Sequence, residues 1–348
     1  MKKKVVIIGG GFAGSHAAKY LDKNFDVTLI DIQEYFEFTP GVLRTLVEPE
    51  HVRKIQVLHS HYLKWAKIIV GKVTEVSKEY VKVKGKKIKF NYLVIASGSS
   101  YNSPFKEQHI VIATRARNLR NHYDELCKAK KVLIIGGGFV GTELAGEILW
   151  KYNKEKKITI VHSRERILGR NAKEVIDYAE NFLKTKGVNI IYGERVEKQE
   201  NGKYITDKGR KLEADIAFFC TGITPNYDFM KKNFQEQLNE QNQIKVNNYL
   251  QLVGEKNIFT IGDVGDRVEE KTAQNAKRQA DVMVKNICSL EKGRKLKIYK
   301  PKSTPLIISL GKNTAIFCGK KIIFTGFIPA LMKGWIEKWE MWKKRQIE

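Results

Sequence analysis

Cysteine is scarce in this chain: four residues in 348, at Cys127, Cys220, Cys288 and Cys318. No two form a C-x-x-C pair, so a dithiol redox centre is excluded, and nothing has metal-ligand spacing, so no metal is expected. Isolated thiols of this kind read as structural groups in a reducing compartment, which points to the cytoplasm. Long apolar runs are also missing. No stretch reaches the 18 or so residues of a membrane-spanning helix. Met1-Lys2-Lys3-Lys4 leads straight into a strand with no secretory apolar region, and lysine at position 2 is incompatible with N-myristoylation. Acidic residues are in deficit as well: 38 Asp and Glu against 63 Lys and Arg give a net charge of +25. A field of that size attracts nucleic acid or the anionic headgroups of a bilayer, or it reflects a lysine-rich proteome.

What the chain does have is a phosphate-cradling turn, twice. Val5-Val6-Ile7-Ile8-Gly9-Gly10-Gly11-Phe12-Ala13-Gly14 and Val132-Leu133-Ile134-Ile135-Gly136-Gly137-Gly138-Phe139-Val140-Gly141 stand 127 residues apart. Each follows a short β-branched run that reads as a buried parallel strand, and each opens into a helix, over 15–21 and 142–150. Glycines allow the tight turn and let backbone N–H groups approach a pyrophosphate, whose charge rests on the helix N-terminus. One turn suggests a dinucleotide. Two suggest a flavin and a nicotinamide.

The first turn is followed by a strand over 26–30 ending on Asp31, about 20 residues after the third glycine, the position from which an acid accepts ribose hydroxyls. An aromatic loop, Tyr35-Phe36-Glu37-Phe38-Thr39-Pro40-Gly41, precedes a helix carrying Arg44. Short antiparallel strands are expected over 67–76, 80–83 and 87–90. Small-residue turns end two buried strands, Ala96-Ser97-Gly98 and Cys220-Thr221-Gly222, where the chain crosses close to bound cofactor. Between them lies a complete second unit: strand 131–135, helix 142–153, strand 158–162, helix 172–186, strand 188–191 and a strand pair near 195–212. The fold class is therefore α/β, two Rossmann-like dinucleotide-binding domains with the second inserted in the first. The boundaries expected are 1–115, 116–235, 236–302 and a C-terminal region 303–348. A further strand ends in Gly262-Asp263, whose carboxylate can accept hydroxyls from a polyol chain, and Thr272-Ala273-Gln274 opens a helix to about residue 290.

From residue 328 to 347, Ile328, Leu331, Met332, Trp335, Ile336, Trp339 and Trp342 fall at helical spacing on one face, with Lys333, Glu337, Lys338, Lys343, Lys344 and Arg345 opposite. Three tryptophans on an apolar stripe with lysines opposite describe a helix lying in a membrane interface. The competing reading is docking onto the protein's own core or onto a homodimer partner.

Together these residues resemble the two-dinucleotide flavoproteins of the glutathione-reductase type, without their C-x-x-C. Tyr35 to Pro40, Gly136 to Glu147, Ile261-Gly262-Asp263 and Thr272-Ala273-Gln274 resemble type II NADH:quinone oxidoreductases. Leu43-Arg44, Val161-His162-Ser163, Cys220-Thr221-Gly222-Ile223 and Tyr299-Lys300-Pro301, leading into Ile308-Ser309-Leu310-Gly311-Lys312, are similar to the ferroptosis-suppressor branch of apoptosis-inducing-factor-like flavoproteins. The resemblance implies FAD held by Gly9, Gly11, Phe12, Ala13, Gly14, Asp31, Arg44, Val73, Ala96, Ser97, Gly98, Gly262, Asp263 and Ala273. It places NADH or NADPH at Gly136, Gly138, Gly141, His162, Arg164, Thr221 and Gly222. Arg44 would neutralise pyrophosphate or form a surface ion pair. Val73 would offer backbone groups to adenine or be a plain strand residue.

Catalytic roles are implied for Glu143, beside the nicotinamide and flavin, and for Lys333, which is either the family's functional lysine or a snorkelling one. Glu147, one helical turn after Glu143, reads as a solvent-face ion pair. Gln274 and Gln279 either line an acceptor pocket or are surface amides. At the second ribose position stands His162-Ser163-Arg164 with no acid, so a 2′-phosphate is not repelled and Arg164 or Arg166 can pair with it. The expected activity is hydride transfer from NAD(P)H to FAD and two-electron reduction of a lipid quinone at an anionic membrane surface, by a peripheral, non-proton-pumping enzyme. A sulfide:quinone oxidoreductase would need nucleophilic cysteines near the flavin, for which only Cys127 and Cys318 are loosely placed. The third reading is a basic flavoprotein that binds membrane or nucleic acid and turns over incidentally. No recognised nucleic-acid motif is present, so no specific nucleic-acid partner is expected.

Overall fold

The computed structural model describes residues 2–101, 104–106 and 111–346; Met1 and Ile347, on which two of the expectations above touch, lie outside them. Two parallel sheets organise the chain. The first has five strands in the order Ile258–Thr260, Tyr92–Ile95, Lys4–Ile8, Asp26–Asp31 and Lys67–Val70. The second has four, in the order Asn189–Tyr192, Lys157–His162, Lys131–Ile135 and Ile216–Phe219. Strands Tyr92–Ile95 and Ile258–Thr260 are neighbours in the first sheet, with Leu93 opposite Ile258, although the whole second sheet lies between them in sequence. The insertion is thus written in the strand order. Both central strands are apolar and buried from their second residue on, as strands covered on both faces must be.

Among the described residues, six longer helices complete the frame: α1 (Phe12–Leu21), α2 (Ile112–Lys128), α3 (Phe139–Tyr152), α4 (Lys173–Thr185), α5 (Ala273–Glu291) and α6 (Phe327–Arg345). α1 and α3 begin directly at the glycine turns. Small antiparallel sheets sit around the frame, over 73–89, 196–213 and 306–326. The last of these leads into α6.

Three differences from the sequence pattern have physical causes. The run 67–76 is not one strand: Lys67–Val70 joins the parallel sheet beside Asp26–Asp31, and the chain breaks at Gly71 before Val73–Val76 enters the meander. The expected pair near 195–212 is three strands. α2 is polar overall, buries a narrow face with Leu119 and Leu126, and adds an ionic anchor. Arg115 is fully buried and donates to both carboxylate oxygens of Glu37 at 3.1 Å.

Candidate active site

The two glycine turns open into one cleft of about 1690 Å³ at the carboxyl ends of the parallel strands, where open α/β sheets bind ligands. Its volume exceeds the usual upper range of a single small-molecule pocket, about 1,000 Å³, and suits two extended nucleotides. Each turn is built the same way. Gly9 has φ +98° and Gly136 +113°, and a Cβ on either would stand 2.3 Å from the carbonyl of Ala96 or Cys220. A Cβ at Gly11 or Gly138 would meet no protein atom within 4 Å, because both positions face open space at a helix N-terminus. That is the cradle a pyrophosphate requires.

Asp31 completes the first turn. Its Oδ2 accepts from the Gly10 N–H at 2.8 Å and pairs with His59 Nε2 at 3.0 Å, its Oδ1 accepts from the Gln33 N–H at 3.4 Å, and the residue lines the cleft. The second turn repeats this geometry with a different residue: the Gly137 N–H donates to His162 Nδ1 at 3.1 Å. An imidazole that accepts there is neutral. Burial, aided by Arg164, pushes the His162 pKa below its ordinary value. Arg164 and Arg195 are exposed along the same wall. Arg166 is not available to a phosphate; it is held by Asp177 at 2.6 Å and Glu180 at 3.0 Å.

Asp263 lines the cleft and accepts from Ser99 Oγ at 2.7 Å and Lys106 Nζ at 3.2 Å. Burial opposes its ionisation, but Lys106 and Ser99, with Lys271 farther off, outweigh it and hold its pKa below the usual carboxylate range. Glu143 sits where the second turn's helix meets the C-terminal sheet. Its Oε1 accepts from Lys333 Nζ at 2.6 Å and from the Ser309 N–H at 2.8 Å, and Glu143 and Lys333 both line the cleft. Ser309 lies in the segment 308–312 quoted for the resemblance, which gave it no role; its contact comes from strand Leu306–Ser309 packing against α3.

Of the residues expected to contact FAD or nicotinamide nucleotide, Phe12, Ala13, Ala96, Ser97, Gly98, Thr221, Gly222, Gly262 and Ala273 also line the cleft. Gly14 and Gly141 lie beneath the turns, where a Cβ would stand 1.8 or 1.9 Å from the carbonyl of Gly9 or Gly136. For five residues the structure departs from the expectation or favours one of the alternatives. Arg44 does not face the cleft: its guanidinium grips Glu147 in two bonds of 2.9 and 2.6 Å and lies 5.8 Å from the Trp150 ring centroid. Glu147, read as a solvent-face residue, is buried in that pair. Val73 belongs to an apolar core behind the first sheet. Gln279 is buried with Oε1 accepting from the Gly262 N–H at 2.7 Å, so it shapes the Gly262-Asp263 turn rather than lining a pocket, and Gln274 is an exposed amide outside the cleft.

α6 runs from 327 to 345 and is inverted relative to a core-docked helix. Phe327, Ile328, Leu331, Trp335, Ile336, Trp339 and Trp342 are all exposed, Trp335 by 72%. Docking of this stripe on the protein's own core is therefore not observed. The inward face carries the buried Pro329 and Met341 together with Lys333, Glu337 and Lys344 from the charged side of the pattern. Lys333 meets Glu143, Glu337 meets His51 at 3.0 Å, Glu340 meets Lys277, and Lys344 donates to Ser15 Oγ at 2.6 Å. These four positions, 333, 337, 340 and 344, follow one helical face. Among the described residues no helix is long and apolar enough to cross a membrane, and no group of three or more His, Cys, Asp or Glu could hold a metal. Cys220 is the cysteine at the cleft, and burial pushes its thiol far up; Cys127 and Cys318 lie outside it.

Residues 3–280 match the Pyridine nucleotide-disulphide oxidoreductase family. The chain is 37% identical to Apoptosis-inducing factor homolog A of Dictyostelium discoideum, over 95% of this chain and 89% of that protein. It is 31% identical to Ferroptosis suppressor protein 1 of Mus musculus, over 90% and 87% of the two. Among solved structures, the sulfide:quinone oxidoreductase of Aquifex aeolicus superposes with a TM-score of 0.85 at 22% identity, covering 99% of this chain and 91% of that one. At that identity the last similarity speaks for the fold.

Proposed function

The chain belongs to the pyridine nucleotide-disulphide oxidoreductase family, in its apoptosis-inducing-factor-like branch, and from that membership we propose an FAD-dependent NAD(P)H:quinone oxidoreductase acting at a membrane surface. FAD and a pyridine nucleotide are its cofactors. The observation that carries the proposal is the single cleft holding both glycine turns, with Glu143 and Lys333 on its wall and an outward apolar helix attached to that lysine.

The roles divide along the cleft. Gly9 to Ala13 with Asp31 hold the FAD pyrophosphate and ribose, and Gly262-Asp263 holds its polyol chain. Gly136 to Gly138 hold the nicotinamide nucleotide. FAD supplies acceptance of a hydride and delivery of two electrons. Glu143 and Lys333 form a charge-assisted hydrogen bond at 2.6 Å that can orient the nicotinamide and hand protons to the reduced acceptor, since a quinone taking two electrons needs two protons.

His162 in place of an acid, with Arg164 and Arg195 exposed on the same wall, supports use of NADPH as well as NADH. The exposed stripe of α6 supports seating at a lipid surface, where tryptophans settle at headgroup depth and the net charge of +25 favours anionic lipid. The sulfide reading finds no support in the cysteines, since the one at the cleft is a buried thiol.

Steady-state kinetics with NADH and NADPH against a short-chain quinone, sulfide-dependent reduction as control, test the reading. Turnover with either nucleotide is expected, with Arg164→Ala lowering kcat/KM for NADPH about tenfold and leaving NADH nearly unchanged. Tenfold is about 1.4 kcal/mol, near the lower end for a hydrogen bond to a charged group. Protein that binds no FAD, or reduces no quinone with either nucleotide, would end the proposal.

A further inference from the structure

His59 is fully buried beside the first glycine turn and takes no part in the roles assigned to the cleft. A Cβ on Gly10 would stand 2.4 Å from His59 Cε1 and 2.4 Å from Asp31 Oδ2, so the middle glycine exists partly to admit this imidazole. At the equivalent place in the second turn, a Cβ on Gly137 would meet Ile167 at 2.5 Å. An aliphatic side chain thus suffices to pack this spot. The first turn carries a histidine instead, and the histidine is hydrogen-bonded at both ends.

Nε2 of His59 faces Asp31 Oδ2 at 3.0 Å, and Nδ1 faces the Tyr62 hydroxyl at 2.6 Å. With Asp31 ionised, the consistent arrangement has Nε2–H donating to the carboxylate and the Tyr62 O–H donating to Nδ1. On the other side of Tyr62, its ring lies against the Lys344 amine. Ser15 Oγ lies 2.6 Å from the Gly11 carbonyl oxygen and accepts from Lys344 Nζ at 2.6 Å. That amine is buried, 4.4 Å from the Tyr62 ring centroid and 4.8 Å from that of Phe36. A buried path therefore runs from the ribose-side carboxylate of the first nucleotide site to the last turn of α6: hydrogen bonds join Asp31, His59 and the Tyr62 hydroxyl, and the Lys344 amine packs over the Tyr62 ring.

We propose that His59 is a positioning residue for Asp31 and that, through Tyr62 and Lys344, it couples FAD binding to the seating of α6 on the protein. The inference rests on reading the first turn as the FAD site. Its physical basis is that each member of the chain is buried and keeps its partner in one orientation, so a change at one end leaves a polar group unsatisfied along the line. With His59 in place, Asp31 Oδ2 is held by two donors, which fixes the carboxylate at the wall of the cleft. With Lys344 seated, its amine holds the Ser15 hydroxyl that donates to the Gly11 carbonyl and packs over the Tyr62 ring. A ligand that needs the ordered turn binds best when α6 is seated. By reciprocity, its binding must hold α6 in place by the same factor.

The experiment uses two readouts that do not depend on turnover: FAD affinity, by flavin fluorescence on titrating protein stripped of its flavin, and hydrogen exchange of the amides of 327–345 with and without FAD. In the unaltered chain FAD should slow exchange in α6 on the order of fivefold or more, the lower end of typical coupling between sites. Tyr62→Phe cuts the chain with little change of shape; it should weaken FAD binding several-fold and remove most of that FAD-dependent protection. Lys344→Met should do the same from the other end and serves if Tyr62→Phe does not fold. His59→Gln, whose amide can reach Asp31 but not Tyr62, should retain more FAD affinity than His59→Leu while still losing the protection.

A purely structural role would raise exchange equally with and without FAD, so the difference between the two is the deciding quantity. Flavin that binds without protecting α6 in the unaltered chain, or that protects it undiminished in Tyr62→Phe and Lys344→Met, overturns the coupling. Failure to bind any flavin would instead refute the assignment of the first turn.

Discussion

Lys333 Nζ donates to Glu143 Oε1 at 2.6 Å, joining the outermost helix of the protein to the helix that opens at the second glycine turn. The contact spans 190 residues of sequence. It brings an outward-facing apolar element and a nucleotide-binding element to the same wall of the cleft.

Breaking that pair should slow chemistry more than it harms binding. Glu143→Ala is expected to lower kcat on the order of 100-fold, the lower end of a general acid–base contribution, with the flavin spectrum intact. Lys333→Met should fall in the same direction. Stopped-flow reduction of the flavin by NADH checks this; unchanged rates in both variants would make the pair structural.

Glu147 is buried under Arg44, so its removal should be a stability defect. Glu147→Ala leaves a half-buried guanidinium without its partner and is expected to cost about 3 kcal/mol, read as a lower urea midpoint. Replacing both by apolar residues, Arg44→Met with Glu147→Leu, should cost less than the sum of the singles. FAD affinity should change little, because Arg44 points away from the cleft. A large loss of FAD binding in Arg44→Met alone would restore the pyrophosphate role.

His162 provides a pH signature. Its folded pKa lies below its ordinary value because burial, with Arg164 nearby, disfavours the charged ring. The unfolded chain therefore takes up this proton first as pH falls below about 6.5. Its contribution to stability is full above that point and is lost toward the lower folded pKa. The melting temperature should fall across this window, and His162→Asn, which cannot titrate, should show a flatter profile between roughly pH 5 and 7. An identical pH dependence in both proteins would remove His162 as a contributor.

The exposed stripe of α6 should be separable from catalysis. Trp335→Ser with Trp339→Ser is expected to weaken sedimentation with anionic vesicles roughly 100-fold, taking about 1.5 kcal/mol for each apolar side chain buried in lipid. Turnover with a water-soluble quinone should persist. If the pair of substitutions instead abolishes a dimer seen by light scattering and leaves vesicle binding untouched, the stripe is a protein interface.

Some of this was legible in the chain itself, for a physical reason. The glycine turns are local: a Gly at positive φ, a helix N-terminus and an acid about 20 residues on are all fixed by near neighbours and by strand and helix periodicity. The amphipathic stripe of α6 and the absence of an acid at His162 are equally local. Other features depended on partners distant in sequence. Arg44 and Glu147 lie 103 residues apart, and nothing near either one announces the other. Nothing near Arg115 announced its burial, because its anchor is Glu37, 78 residues away. Which side of α6 faces the protein was not set by its own pattern, since hydrophobic spacing defines a face but not what covers it. Its inward direction was decided by Glu143, His51, Lys277 and Ser15, each contributed by another part of the fold. The sequence by itself determined two nucleotide cradles and an amphipathic terminal helix. Only the tertiary structure, by pairing buried charges across long separations where water cannot satisfy them, joined those parts into one site.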